Sequence, residues 1–129
     1  MVIDTSALLA ILLNEAEAED FALALTKDPR RLLSAFSALE SSVLIEARKG
    51  DAGGRELDLL LHRAQVETVP LNEQQVTLAR QAWRKYERGR HPARLNVGDC
   101  CAYALSRYAE EPLLYKGNDF SQTDVAAVL

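Results

Sequence analysis

The chain predicts an α/β fold with a mainly parallel central sheet. Short apolar runs recur at Val2-Ile3, Arg31 to Ser34, Val66 to Leu71 and Leu113 to Tyr115, each bounded by turn residues. Helical stretches separate consecutive runs, the alternation of parallel strands joined by crossover helices. A length of 129 residues suits one domain, 1–129, able to bury about two-thirds of its unfolded surface.

Val2-Ile3 opens as a short buried strand. Ser6 to Leu13 reads as a helix, with Asp4-Thr5-Ser6 as a capping sequence before it. Asn14-Glu15-Ala16-Glu17 has the form of a capping box, so a second helix is expected from there to about Lys27, where Asp28-Pro29 breaks it. After the second strand, a helix from about Ser37 to Lys49 stops at Gly50. Gly53-Gly54 reads as a turn and Arg55 to Ala64 as another helix. Asn72, with Gln75 three residues on, caps a helix reaching about Arg88. Gly89 to Leu95 is a loop. Gly98 to Ala109 is helical, Glu111-Pro112 ends it, and a last short strand is expected near Val125 to Leu129.

Bulk properties exclude some classes. Charged residues make up 26% and apolar ones 48%, which fits a globular chain rather than a disordered one. A net charge of −4 gives no global field for nucleic acid, so such a role would need a local basic patch. The apolar stretch Ala7 to Leu13 is preceded by Asp4 and followed by Asn14-Glu15, too short and wrongly flanked for a signal peptide or a membrane span. A cytoplasmic protein is expected. Cys100 and Cys101 are adjacent, and neighbouring helical side chains diverge, so no disulfide is expected between them.

Four acids stand at the edges of apolar runs: Asp4, Glu40, Asp99 and Asp119. Asp4 ends the first strand, where α/β folds place ligands, although helix capping needs the same geometry. Glu40 shares a helical face with Phe36, Val43, Leu44 and Ala47, the face expected to meet the core. A buried carboxylate there needs a partner or a cation; a Glu at the stripe's edge reaching solvent or an Arg is the plainer reading. Asp99 lies in the first turn of its helix, where the dipole favours negative charge, with Asn96 as a cap or a hydrogen-bond partner. Asp119, in Gly117-Asn118-Asp119-Phe120, is also an ordinary turn acid. Carboxylates converging on one sheet edge repel and call for a hard cation such as Mg²⁺ or Mn²⁺. Metal-dependent phosphodiester chemistry is therefore the leading reading.

In this arrangement the chain resembles the PIN-domain ribonucleases, in particular the VapC-type toxins of bacterial toxin–antitoxin pairs, over its full length. Met1-Val2-Ile3-Asp4-Thr5-Ser6-Ala7-Leu8 resembles the family's first strand and acid, and Ser37-Ala38-Leu39-Glu40 its second acidic position. The most specific stretch, Leu95-Asn96-Val97-Gly98-Asp99-Cys100-Cys101-Ala102-Tyr103-Ala104-Leu105, is similar to the third motif, and Leu113-Leu114-Tyr115-Lys116-Gly117-Asn118-Asp119-Phe120 to the last. One departure concerns the fourth acid. Many members carry it three residues before the closing Phe, where this chain has Gly117, so Asp119 stands in from two positions later; Asp124 is a second candidate, with a structural role its favoured reading.

The resemblance implies a three-layer α/β/α PIN-like fold with the acids at the C-terminal edge of the sheet. It implies a metal-dependent endoribonuclease toxin, with Asp4, Glu40, Asp99 and Asp119 as catalytic metal ligands and Mg²⁺ or Mn²⁺ as cofactor. An activated water would cleave RNA to leave 5′-phosphate and 3′-hydroxyl ends. Thr5, Ser6 and Asn96 would support the ligands. A cognate VapB-type antitoxin and a homodimer are the implied partners, with no membrane role. For RNA the candidate contacts are Arg80, Arg84, Lys85, Arg88, Arg90 and Arg94, six of the fifteen basic residues, interrupted by one acid, Glu87; a solvated helix face is the competing reading. Trp83 and Tyr86 are stacking candidates, with core or partner contacts the commoner reading at their helical spacing. His91 has no catalytic role in this scheme.

Other phosphate-handling classes fit less well. A receiver-type domain needs an Asp ending the third strand, which reads Val66-Glu67-Thr68-Val69-Pro70. A haloacid-dehalogenase-type phosphatase needs an acid at position 6, which is Ser6. No Walker loop occurs, and His62 and His91 do not support a histidine nuclease. The remaining alternative is a catalytically inactive PIN scaffold that binds RNA or a protein partner.

Overall fold

A computed structural model of the chain describes residues 1–87, 89 and 91–129. Its elements are β1 (Val2–Ile3), α1 (Thr5–Leu12), α2 (Ala18–Lys27), β2 (Leu32–Ser34), α3 (Ala35–Arg63), β3 (Glu67–Val69), α4 (Glu73–Tyr86), α5 (Val97–Ala109) and β4 (Leu113–Leu114). A 3-10 turn, Phe120–Gln122, follows β4.

The four strands form one sheet in the order β3-β2-β1-β4, and every pairing is parallel. Successive strand residues face opposite sides. Ile3, Leu33 and Leu114 enter a core with Leu8, Phe21, Leu25, Ile45 and Leu57, from α1, α2 and α3. Val2, Leu32 and Leu113 enter a second core with Ala82, Tyr86, Ala102 and Leu105, from α4 and α5. Helices on both faces of a parallel sheet make the three-layer α/β/α architecture. The full burial of each of the Val, Leu and Ile side chains among these contributes roughly 1.5–3 kcal/mol.

The chain moves outward from β1 to β2 and β3, then returns to place β4 on the other side of β1. That reversal opens a crevice beyond the carboxyl ends of β1 and β4, the usual ligand position in open α/β sheets. The Asp4 amide donates to the Leu114 carbonyl at 2.9 Å, which fixes the mouth of the crevice.

Several local expectations are corrected. The capping box at Asn14 does not form: Asn14 adopts φ +54° and α2 starts at Ala18, capped by Glu17 without a side-chain hydrogen bond. The Glu15 and Glu17 carboxylates turn instead to Lys116, a hundred residues away. Gly53-Gly54 is not a turn but lies inside α3, which is kinked at Gly50 with φ +64°. A Cβ at Gly53 would stand 2.8 Å from the Ile45 carbonyl oxygen, so the missing side chain lets the two halves of α3 meet. α4 stops at Tyr86. No strand spans Val125 to Leu129; the tail makes one parallel bridge, Leu113 to Ala127, against the outer edge of β4. Among the described residues no helix is long and apolar enough to cross a membrane.

Candidate active site

Asp4 is the N-cap of α1 and only 4% exposed. Its Oδ2 accepts from the Ser6 amide at 3.0 Å and from the Ser6 hydroxyl at 2.6 Å. The same hydroxyl accepts from the Lys116 amide at 2.9 Å, linking the start of α1 to the segment after β4. Burial pushes the Asp4 carboxyl up to about 6 against the lowering pull of Ser6, and the Glu40 charge adds to the rise.

Glu40 reaches the crevice from α3, but not on the expected face. Val43 is 57% and Leu44 40% exposed, and the buried line of α3 is Ser37, Ser41 and Ile45. Small polar residues face inward because α3 lies close to α1, where the Ser41 hydroxyl comes within 3.4 Å of Thr5 Oγ1. Glu40 sits beside that line, half-buried, and Oε1 accepts from Thr5 Oγ1 at 2.7 Å. Its carboxylate rests on Gly98, where an added Cβ would come 2.6 Å from Oε2.

Asp99 belongs to a reciprocal capping box at the start of α5. Its amide donates to Asn96 Oδ1 at 2.8 Å, and its Oδ2 accepts from the Asn96 amide at 3.0 Å. Burial drives the Asp99 carboxyl up to about 7, reinforced by the charges of Asp4, Asp119 and Glu40. The charges of Asp4, just after β1, of Glu40 on α3 and of Asp119 in the segment after β4 thus all act on Asp99 in α5. Asp119 is the exposed member, placed between Gly117, at φ +97°, and the buried anchor Phe120.

Asp124 is engaged elsewhere. It accepts from Tyr103 at 2.6 Å, from Tyr86 at 3.2 Å and from Arg107 at 2.9 Å, and the Tyr103 hydroxyl leads in holding its carboxyl low. Cys100 and Cys101 are free and buried, and burial with the Asp99 charge pushes the Cys100 thiol up to about 12, which rules it out as a thiolate nucleophile near neutral pH. His91 accepts the Ala93 amide at 3.0 Å and packs edge-on against Tyr86.

The basic candidates divide. Arg80 and Arg84 line a groove beside the first turn of α5. Lys85 lies over the Tyr86 ring at 5.0 Å and borders a different hollow with Arg107 and Asp124. Arg94 is exposed at φ +58°. Arg88 and Arg90 lie outside the described residues. Two contributors carry little signal in the sequence: Gly98, a glycine in the first turn of a helix, and Lys116, whose acid partners lie far away in the chain.

Among the described residues no three His, Cys, Asp or Glu side chains already stand close enough to ligate one ion together. The donor set nonetheless fits a hard divalent cation: all carboxylate oxygens, mutually repelling, two of them held at raised pKa values. Holding an ion requires these side chains to close in on it.

The PIN-domain family model matches residues 1–126. Ribonuclease VapC30 of Mycobacterium tuberculosis (strain ATCC 25618 / H37Rv) is 53% identical over 128 residues, which cover 99% of this chain and 98% of that protein. This chain belongs to the PIN-domain family. Among solved structures, this PIN domain is similar in fold to Mycobacterium tuberculosis VapC20, a sarcin-ricin loop cleaving toxin, with a TM-score of 0.75 at 20% identity, covering 97% of this chain and 95% of that one. A toxin–antitoxin complex from Klebsiella pneumoniae gives a TM-score of 0.72 at 16% identity, covering 95% of this chain and 92% of that one.

Proposed function

We propose that this PIN-domain chain is a divalent-metal-dependent endoribonuclease toxin, restrained by a cognate antitoxin. The observation that carries the reading is the coupling of Asp4, Glu40, Asp99 and Asp119 at the switch point of the sheet, with Asp99 raised to about 7. The VapC ribonuclease relatives support the reaction class.

Asp4, Glu40 and Asp99 would hold the ion, with Asp119 as the fourth acid, and Mg²⁺ and Mn²⁺ both suit them. A bound ion supplies positive charge to the phosphate and lowers the pKa of water that attacks it. The protein's own part is positional. Ser6 holds Asp4 through two hydrogen bonds, Thr5 holds Glu40 through one, and the Asn96 box fixes Asp99. Burial and the neighbouring carboxylates hold the Asp99 carboxyl up at about 7 in the metal-free chain, so an ion bound there would displace a proton. Arg80 and Arg84 are the described cations offered to the RNA backbone.

The antitoxin and a second copy of the chain are the proposed partners. Leu39, Val43 and Leu44 form an uncovered apolar stripe on α3 next to Glu40, a surface suited to such contacts.

The test is cleavage of end-labelled total RNA by purified protein with Mg²⁺, Mn²⁺ or EDTA, beside Asp99→Asn. Discrete fragments with 5′-phosphate ends, absent in EDTA and in the variant, support the proposal. Equal patterns from protein and folded variant refute it.

A further inference from the structure

One residue ties the segment after β4 to both ends of α1. The Lys116 amide donates to Ser6 Oγ at 2.9 Å, at the start of the helix. The Lys116 ammonium bonds the carboxylates of Glu15 and Glu17, in the turn beyond the helix end, and stands 3.3 Å from Glu17 Oε2. That turn presents both acids together. Asn14 takes φ +54°, the Glu15 amide donates to the Ala10 carbonyl at 2.9 Å, and the Ala18 amide donates to the Glu15 carbonyl at 3.0 Å.

Two of the site acids depend on where Lys116 lies. A hydroxyl has one proton to donate. With the Lys116 amide on its acceptor side, the Ser6 hydroxyl turns that proton to Asp4 Oδ2, 2.6 Å away. Beyond Lys116 the backbone turns at Gly117, with φ +97°, and reaches the buried Phe120, whose ring centroid lies 5.1 Å from that of Tyr115. Asp119 therefore sits on a short arch pinned at Lys116 and at Phe120. The Lys116, Glu15 and Glu17 side chains are 35%, 33% and 36% exposed, a setting in which ion pairs add little to stability. What the contact fixes is position.

We infer that Lys116 is a positioning residue: its ion pairs with Glu15 and Glu17 clamp the segment after β4 to α1, which holds the Ser6 hydroxyl on Asp4 and sets the arch that carries Asp119. The inference rests on the metal-dependent reading above and extends it to a cation outside the acid set.

Lys116→Met separates positioning from charge. Loss of a nearby cation would by itself strengthen Mn²⁺ binding, whereas loss of the clamp weakens it. Calorimetry should show Mn²⁺ affinity lowered about tenfold or more, with melting in EDTA within a few degrees of the parent. Lys116→Arg, which keeps the charge and the reach, should restore most of the affinity. Amide hydrogen exchange in EDTA reads the clamp without metal. The Ser6 amide and the amide at position 116 should exchange at least about threefold faster in Lys116→Met. Glu15→Gln with Glu17→Gln, which leaves Lys116 in place, should speed the same two amides and serves alone if Lys116→Met does not fold. Unchanged exchange would overturn the inference, as would Mn²⁺ binding in folded Lys116→Met as tight as the parent's or tighter. If the parent itself binds no Mn²⁺, the metal-dependent reading fails and this inference falls with it.

Discussion

Thr5 Oγ1 donates to Glu40 Oε1 at 2.7 Å, so the residue that follows the first acid positions the second, thirty-five residues on. Asp4-Thr5 thereby sets two carboxylates at once. Thr5→Val keeps the shape and removes the donor. Supporting hydrogen bonds of this kind are worth roughly 10- to 100-fold in metal affinity, and a loss of that order in Mn²⁺ binding by calorimetry is expected. Thr5→Ser should retain most of it. Equal affinity in Thr5→Val would show that the hydroxyl does not position Glu40.

Gly98→Ala separates site geometry from stability. The new Cβ would meet the Glu40 carboxylate at 2.6 Å, and that carboxylate is the far end of a flexible side chain. Glu40 can move aside at small energetic cost, and Ala favours a helix over Gly by about 1 kcal/mol. The expected variant melts within a few degrees of the parent and loses at least about tenfold in RNA cleavage. A variant with parental cleavage would mean that the position of Glu40 is not critical.

The raised carboxyls give stability a definite pH dependence. Asp4 and Asp99 hold protons up to about 6 and about 7 in the folded chain, against 3.8 for the free group. Between about pH 4 and pH 7 the folded protein binds more protons than the unfolded one, so metal-free stability falls as pH rises through this window. With Asp99 partly exposed, the combined change is on the order of 1–3 kcal/mol. Asp28 and Asp124, both held low, act below that window. Thermal melts in EDTA between about pH 5 and pH 7.5 should show the fall, and Asp99→Asn should flatten it. Added Mn²⁺ should stabilise more at the upper pH than at the lower, because ligation needs the deprotonated acids.

Asp124 is expected to matter for stability and not for cleavage. It receives hydrogen bonds from Tyr86, Tyr103 and Arg107 across α4, α5 and the tail. Asp124→Ala strands two largely buried phenols, at a cost of about 1–3 kcal/mol by urea unfolding. Cleavage at a temperature where the variant remains folded should stay close to that of the parent. A loss of activity on the scale of Asp99→Asn would instead make Asp124 the displaced fourth acid.

Local patterns foretold the features that depend on near neighbours. Asn72 and Asn96 cap their helices through bonds to residues three positions on, and alternation of short apolar runs is enough to foresee a parallel sheet. What stayed hidden depends on distant partners. Asn14 to Glu17 has the letters of a capping box, but its acids are claimed by Lys116 from the far end of the chain. The apolar positions beside Glu40 suggested a core face, whereas the close approach of α1 needs the small side chains of Ser37 and Ser41 there, which leaves Val43 and Leu44 outside. Gly53-Gly54 looked like a turn because glycine serves both loops and tight helix contacts, and only the packing against Ile45 decides between them.

The central claim is that acids from four elements act as one centre for a divalent ion. A calorimetric titration of metal-free protein with Mn²⁺ near pH 7, with Asp99→Asn alongside, tests it most directly. Saturable binding that releases protons, and that weakens at least about tenfold in Asp99→Asn, is the expected result. Identical isotherms for the two folded proteins, or no binding to either, would contradict it.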